Sequence, residues 1–345
     1  MSATSTFNST AESGTIRNVD SDWSTTRSAT SGDWMTQTQG FGAGASYGAG
    51  GVSPSAPPLG TSLYRELASM FPQEAAEFVY VKKAFGNELL AFLLAWVILV
   101  AGIAAVATVS LGFAGYFVDL FFTSLSNHQW LSFSIISLGP LSLVAMLLIG
   151  LMSYFNYKGI KESARLNILF TLIEAGGRVF IILIGLPYLG SVNYLDLPGG
   201  ISGLMGAMAV TFFAYIGFED MVNIAEETRE PRKTVPIAIL LALGITTLLY
   251  ILVSLAAVSV VSFGTLGHSA SPLALVAEKG MSGSGHWLGV IALFATANTS
   301  LVFLIVQSRM MYGVARNGSL PSFLAEIHPI TRTPHLAVLV TMLLS

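Results

Sequence analysis

Apolar residues in this chain gather into long blocks separated by short polar segments. No charged residue lies between Glu88 and Asp119, between Asp119 and Lys158, between Asp196 and Glu219, or between Lys233 and Glu278. A helix needs about 20 apolar residues to cross the hydrocarbon core of a bilayer, so each gap has room for at least one span. The pattern predicts membrane helices at about 89–117, 132–154, 166–187, 203–225, 236–262 and 286–312, with a seventh starting near His335 and cut short by the chain end at Ser345. Ahead of them, Leu63 to Gly86 is a short amphipathic region. Residues 1–61 are rich in Ser, Thr and Gly, include GAGASYGAGG and SPSAPP, and follow neither a helical nor a strand period. Such a segment buries too little apolar surface to offset its ordering entropy; 1–61 is expected to be disordered and 62–345 to form the membrane domain.

Composition agrees with the pattern. Of 345 residues, 53% are hydrophobic and only 10% charged, where a soluble domain carries roughly a quarter charged. Eleven of the 16 Lys and Arg residues lie in segments 72–88, 155–166, 226–236 and 309–334, whereas the intervening loops carry only Lys279. This strict alternation is the positive-inside signature and predicts a multi-pass protein of the plasma or another cellular membrane, with the basic segments and the N-terminus cytoplasmic. The formal charge of -3 offers no footing for nucleic acid, and the absence of Cys removes disulfides and thiolate metal sites. No cofactor, metal or catalytic residue is expected. The five His residues fall in loops or at span ends without ligand spacing, and neither GxSxG nor a P-loop occurs.

One span carries an internal conflict. The stretch FFAYIGFEDMVNIAEETREP (residues 212–231) is apolar, meets Gly217, and then turns acidic at Glu219 and Asp220. One reading takes the nearby glycines Gly200, Gly203, Gly206 and Gly217 as close-packing positions and Glu219 as a helix end. Depth favours another: counted from Ile201, Gly217 and Glu219 come only after about 16 and 18 residues at ~1.5 Å each, with further apolar positions still to follow. A helix broken at membrane depth is tolerated only where it packs in protein or lines a cavity, and its freed peptide groups can hold a charged solute.

The longer string FFAYIGFEDMVNIAEETREPRKTVPIAI resembles the sixth transmembrane helix and following loop of the amino acid/polyamine/organocation permease superfamily. YRELASMFPQEAAEFVYVKKAFG resembles the end of the second helix and its loop, NYKGIKESARLN the start of the fifth, and SRMMYGVARNGSLPSFLAEIHPITRTPH the end of the eighth with its loop. The resemblance runs from about residue 63 to the end. It implies an all-α membrane protein, a partial inverted-repeat bundle with about six full transmembrane helices and a truncated seventh. It also implies secondary active transport of an amino acid, coupled to protons or to exchange, by alternating access around a discontinuous helix at 212–219. The first helix of the superfamily has no counterpart here, so the chain is expected to be an incomplete permease that does not transport alone. The competing expectation is a non-transporting membrane scaffold or amino acid sensor that keeps the fold.

By the same resemblance, the backbone of Phe212, Phe213, Ala214, Tyr215, Ile216 and Gly217 receives the substrate ammonium, Phe213 is an aromatic gate, and Gly102, Ile103 and Phe303 line the pocket. Glu219 falls at an acidic position tied to gating or protonation. The partners implied are an amino acid, a proton and the lipid bilayer; oligomeric state is not legible. Glu174 and Arg178 lie four apart with the acid first, which suits a helical ion pair. They read either as a mutually neutralising structural pair or as part of ion coupling. TANTS, Thr296 to Ser300, offers polar groups that either bond the preceding turn's carbonyls or contact an ion. Pro231 and Pro236 read as breakers after the acidic stretch. The scarcity of acids besides Glu219 and Glu174 favours neutral substrates.

Overall fold

The computed structural model describes residues 64, 66–122, 131–132, 137–197, 199–213, 215, 217, 219–269 and 271–345. The segment 1–61, with its predicted disorder, lies outside the described residues, as do Ala214 and Ile216. Among the described residues, five helices are long and apolar enough to cross a membrane. They are α2 (Glu88–Phe121), α3 (Pro140–Lys158), α4 (Ile160–Gly185), α6 (Pro231–Val260) and α9 (Gly285–Arg316). Shorter elements connect or flank them: α1 (Ala76–Phe85), α5 (Gly200–Phe213), α7 (Phe263–Gly267), α8 (Pro272–Gly280) and α10 (His335–Leu344). Two-residue strands β1 (Leu131–Ser132) and β2 (Ser137–Leu138) pair antiparallel ahead of α3.

Several predicted boundaries move for local reasons. The span expected from residue 132 starts at Pro140, because proline lacks an N–H and its fixed φ suits the first helical position, behind an extended Gly139. The span expected from 166 starts at Ile160, behind Gly159 at φ 135°, and the Ser163 hydroxyl donates to the Phe155 and Gly159 carbonyls at 3.0 Å each. Pro231 opens α6, but Pro236 lies inside it and breaks nothing. The Arg232 carbonyl that Pro236 deprives of a partner belongs to an exposed first turn, where water can serve it. The largest change concerns the predicted span 203–225, which is not one helix: α5 stops at Phe213 and a 3-10 segment runs from Glu219 to Glu227.

The bundle is organised around α9, whose principal neighbours are α2, α4 and α3. On α2 the buried positions Ala91, Ala95, Leu99, Gly102, Val106, Ser110, Ala114 and Val118 recur every three or four residues, forming one stripe of mostly small side chains. Lipid is as apolar as leucine, so burial of apolar surface does not drive membrane helices together; close backbone approach and interhelical hydrogen bonds do. Both occur on this seam: the Ser110 and Ser300 hydroxyls bond at 3.0 Å, and Gly102 lies directly under the Gln307 amide.

Helix α4 runs between α9 and α6. Its Gly177 faces Ile291 of α9 and its Gly185 faces Ala256 of α6. A Cβ on Gly185 would stand 2.3 Å from the Ala256 Cβ and 2.7 Å from its Cα, so backbone and not a movable side-chain tip blocks it. The outward apolar side chains of α4 and α6, such as Leu172, Leu183, Leu241 and Ile245, are exposed, as suits helices facing lipid. Ala75, ahead of α1, holds φ 53° and ψ 48°, a left-handed conformation that costs a residue with a Cβ about 1–2 kcal/mol.

Two opposite shifts follow in a thermal melt of the chain in lipid nanodiscs. Gly185→Ala is expected to destabilise by about 1–3 kcal/mol through overpacking. Ala75→Gly is expected to stabilise by up to about 1 kcal/mol, since glycine meets no steric penalty at that φ.

Candidate functional site

In the predicted fourth span apolar sequence and helical geometry part. Helix α5 ends at Phe213, so its last four carbonyls have no partner within the helix. Gly217 sits at φ 112°, a conformation open to glycine, and its carbonyl accepts from the Asp220 N–H at 3.3 Å. The chain then continues as nine residues of 3-10 helix, longer than the three or four at which such runs usually stop and a mark of a hinge or a strained stretch.

Tyr215, within the break, leans on α6. Its hydroxyl donates to the Thr247 hydroxyl at 3.0 Å, and its ring meets the Tyr250 ring edge-on at 5.5 Å between centroids. Tyr250 in turn lies within electrostatic reach of Glu174 and Arg178 on α4. Those two form an ion pair of 2.5 Å, each side chain about a quarter exposed. Tyr215, Glu174 and Arg178, all predicted from the sequence, thus share the surroundings of Tyr250, which sequence reasoning had not singled out.

Others of the predicted set lie elsewhere. Gly102 belongs to the α2–α9 seam, where a Cβ would stand 1.9 Å from the Gln307 Nε2, and Ile103 is half-buried beside it. Phe303 of α9 packs against a cluster that includes Val106, Leu148, Phe170 and Leu304, and Ile224 of the 3-10 segment packs against the same cluster. Phe212 and Phe213 close α5, and Glu219 opens the 3-10 segment. In TANTS the hydroxyls of Thr296 and Thr299 donate to the Ala292 and Ala295 carbonyls one turn back, at 2.8 and 2.9 Å. Asn298 reaches across to Thr171 of α4 at 3.2 Å, so these groups act in helix geometry and helix contact.

The 3-10 segment is held by a polar cluster that the sequence pattern concealed. Arg309, expected in a basic loop, lies inside α9 with 1% of its side chain exposed. Its Nε donates to the Glu227 Oε1 at 2.6 Å and its Nη1 to the Asn156 Oδ1 at 3.3 Å and the Ser308 Oγ at 3.2 Å. The pairing explains the placement, because an unpaired guanidinium would be too costly to bury. Arg316 grips Glu226 through both terminal nitrogens at 2.8 and 2.5 Å. Asn223 accepts from the Ala76 N–H at 3.0 Å and donates to both Glu77 oxygens at 3.1 and 3.3 Å. One signal for Arg309 was present in the sequence: three and four positions to either side stand Ile305, Val306, Tyr312 and Gly313, so its counter-ion had to come from another element.

Comparison with known proteins agrees with this architecture. Residues 35–345 match the amino acid permease family, a match that begins inside the Ser/Thr/Gly-rich segment. A branched-chain amino acid permease of Bacillus subtilis (strain 168) is 30% identical over 285 residues, covering 79% of this chain and 60% of that protein. A methylthioribose transporter of the same organism is 29% identical over 287 residues, covering 80% and 60%. A vacuolar cationic amino acid transporter 4 of Arabidopsis thaliana is 30% identical over 298 residues, covering 82% and 48%. The chain therefore spans between 48% and 60% of the length of these relatives.

The buried pair generates a prediction. Glu227→Ala leaves Arg309 buried without its carboxylate and is expected to cost about 3–5 kcal/mol in a denaturant melt, while Glu227→Gln keeps an acceptor and loses less. Equal, small losses in both variants would mean that the pair does not anchor the segment.

Proposed function

Because the chain belongs to the amino acid permease family, we propose that the protein moves an amino acid across a membrane by alternating access around the interrupted segment between Phe213 and Glu219. The family is one of multi-pass membrane transporters and not an enzyme class. The observation that carries the reading is the break itself: a helix stop at Phe213 and a left-handed glycine at 217 where an apolar stretch ends, followed by a long acidic 3-10 run. A bilayer tolerates such a break only against protein or a cavity, and the freed peptide groups suit the charged ends of a zwitterion.

In this reading the backbone of residues 212–217 accepts hydrogen bonds from the substrate ammonium and Phe213 closes over it. Glu219, a carboxyl at membrane depth, carries the coupled proton. Tyr215, tied to Thr247, transmits movement of the break to α6. The α2–α9 seam, with Gly102, Ile103 and Phe303, forms the wall against which the substrate is held. The basic segments and the N-terminus face the cytoplasm, which follows from the distribution of Lys and Arg. Since Arg178 already engages Glu174, a neutral side chain fits better than a cationic one. Relatives named for branched-chain and for cationic amino acids are the natural guides to which substrates to try first.

Uptake of labelled neutral amino acids into proteoliposomes tests the proposal, run with the chain alone and with the longest protein its locus encodes. Accumulation driven by an inward proton gradient is expected for the latter; binding without uptake would favour a sensor. In the transporting form, Glu174→Gln is expected to displace the pH profile of uptake if the pair takes part in coupling. An unchanged profile assigns it to structure alone.

A further inference from the structure

A second ionisable group lies outside the proposed site, where the 3-10 segment docks. Glu74 precedes α1, is only 5% exposed, and has a buried Oε2 with no hydrogen-bond partner. Its backbone N–H donates to the Glu226 Oε1 at 3.1 Å, the same oxygen that Arg316 holds. From behind, Gly313 of α9 comes so close that a Cβ there would stand 2.9 Å from the Glu74 carbonyl carbon. The charged groups around it are Glu226 and Glu227 on the 3-10 segment, Arg309 and Arg316 on α9, and Glu77 on α1. Each arginine is already matched to one glutamate of the segment, and Asn223 serves Glu77. An ionised Glu74 would be a surplus negative charge with a bare oxygen.

We propose that Glu74 is a proton-binding site that controls docking of the Glu219–Glu227 segment: the carboxyl is neutral while the segment lies against α1 and α9, and it releases its proton when the segment lifts away. The assignment rests on the reading of this segment as the moving part of a permease. Burial pushes the Glu74 carboxyl up to about 8, opposed by Arg309, reinforced by Glu226 and Glu227, and opposed again by Arg316. Its neighbour Glu226 goes the other way: burial raises it, but hydrogen bonds from Arg316 and the Glu74 N–H outweigh this and hold it below its ordinary value. Two adjacent carboxyls are thus held in opposite protonation states by the donors each has or lacks.

The direction of the pH effect follows from linkage. A lifted segment exposes Glu74 to water and returns it toward its ordinary 4.5. Below that value both forms carry the proton and pH has no influence. Between it and about 8 the lifted form is ionised while the docked form is not, so lifting gains up to about tenfold per pH unit. Above about 8 both are ionised and the gain levels off. Acid therefore holds the segment down, and rising pH frees it.

Two measurements on the full chain in lipid nanodiscs test this without any transport assay. Infrared titration should show a protonated carboxylic C=O band that persists at neutral pH, fades with a midpoint near 8 and is missing from Glu74→Gln. Amide hydrogen exchange over residues 219–227, corrected for its intrinsic pH dependence, should rise up to about tenfold per pH unit in the wild type and stay flat in Glu74→Gln. A wild-type chain with no acid band at neutral pH, or with corrected exchange independent of pH, overturns the proposal even if the variant does not fold. If uptake fails while both titrations appear, the permease reading falls and the proton site stands.

Discussion

A polypeptide in a bilayer core has no water to satisfy its peptide groups, so any departure from helix must be docked onto other parts of the protein. Here the helix stops at Phe213 and a 3-10 segment follows from Glu219 to Glu227, and the buried pair between Arg309 and Glu227 anchors that segment to the bundle. The guanidinium is spent on three acceptors from three elements: Glu227 of the 3-10 segment, Asn156 of α3 and Ser308 of α9 itself. Fixing a charge inside an apolar bundle costs several kcal/mol unless it is so matched. The same match ties the position of the segment to that of two long helices.

Around this anchor the molecule divides into regions packed by different means. The α2–α9 seam is built from small residues and short hydroxyl contacts, leaving neither helix much freedom to shift against the other. Helix α6 instead meets the broken segment through a few specific contacts. Tyr215 reaches Thr247 and Tyr250 within the helix, while Val222 and Ala225 pack with Val235 and Ile239 at its start. A firm seam beside a segment held by polar bonds suits the alternating access proposed above. The polar bonds can exchange with water one at a time, whereas a close-packed seam yields only as a whole.

The docking cluster also carries an imbalance. Two arginines meet two glutamates of the segment, Asn223 serves Glu77, and Glu74 is left as a carboxyl with no donor on its buried oxygen. An apolar residue at this position would make the dock indifferent to pH. A carboxyl makes docking depend on a proton, which joins the conformation of the proposed hinge to the acidity of the compartment it faces.

Much of this was legible in the sequence, because a bilayer imposes one rule on every residue of a span. The long apolar blocks located α2, α3, α4, α6 and α9, and the conflict at Gly217 and Glu219 located the break without any knowledge of neighbours. The spacing of Glu174 and Arg178 likewise fixed their pairing, since both sit on one turn of one helix. Partners brought together from distant parts of the chain were beyond its reach. Arg309 read as a loop anchor because its neutralising glutamate lies 82 positions away, and Glu74 was not singled out because only the approach of Gly313 and Glu226 strips it of water. Local pattern determines which segments enter the membrane and where one must break, because solvation by lipid acts on each residue separately. Which charges are buried, and in what protonation state, was decided by tertiary contact, because desolvation depends on everything that closes around a group.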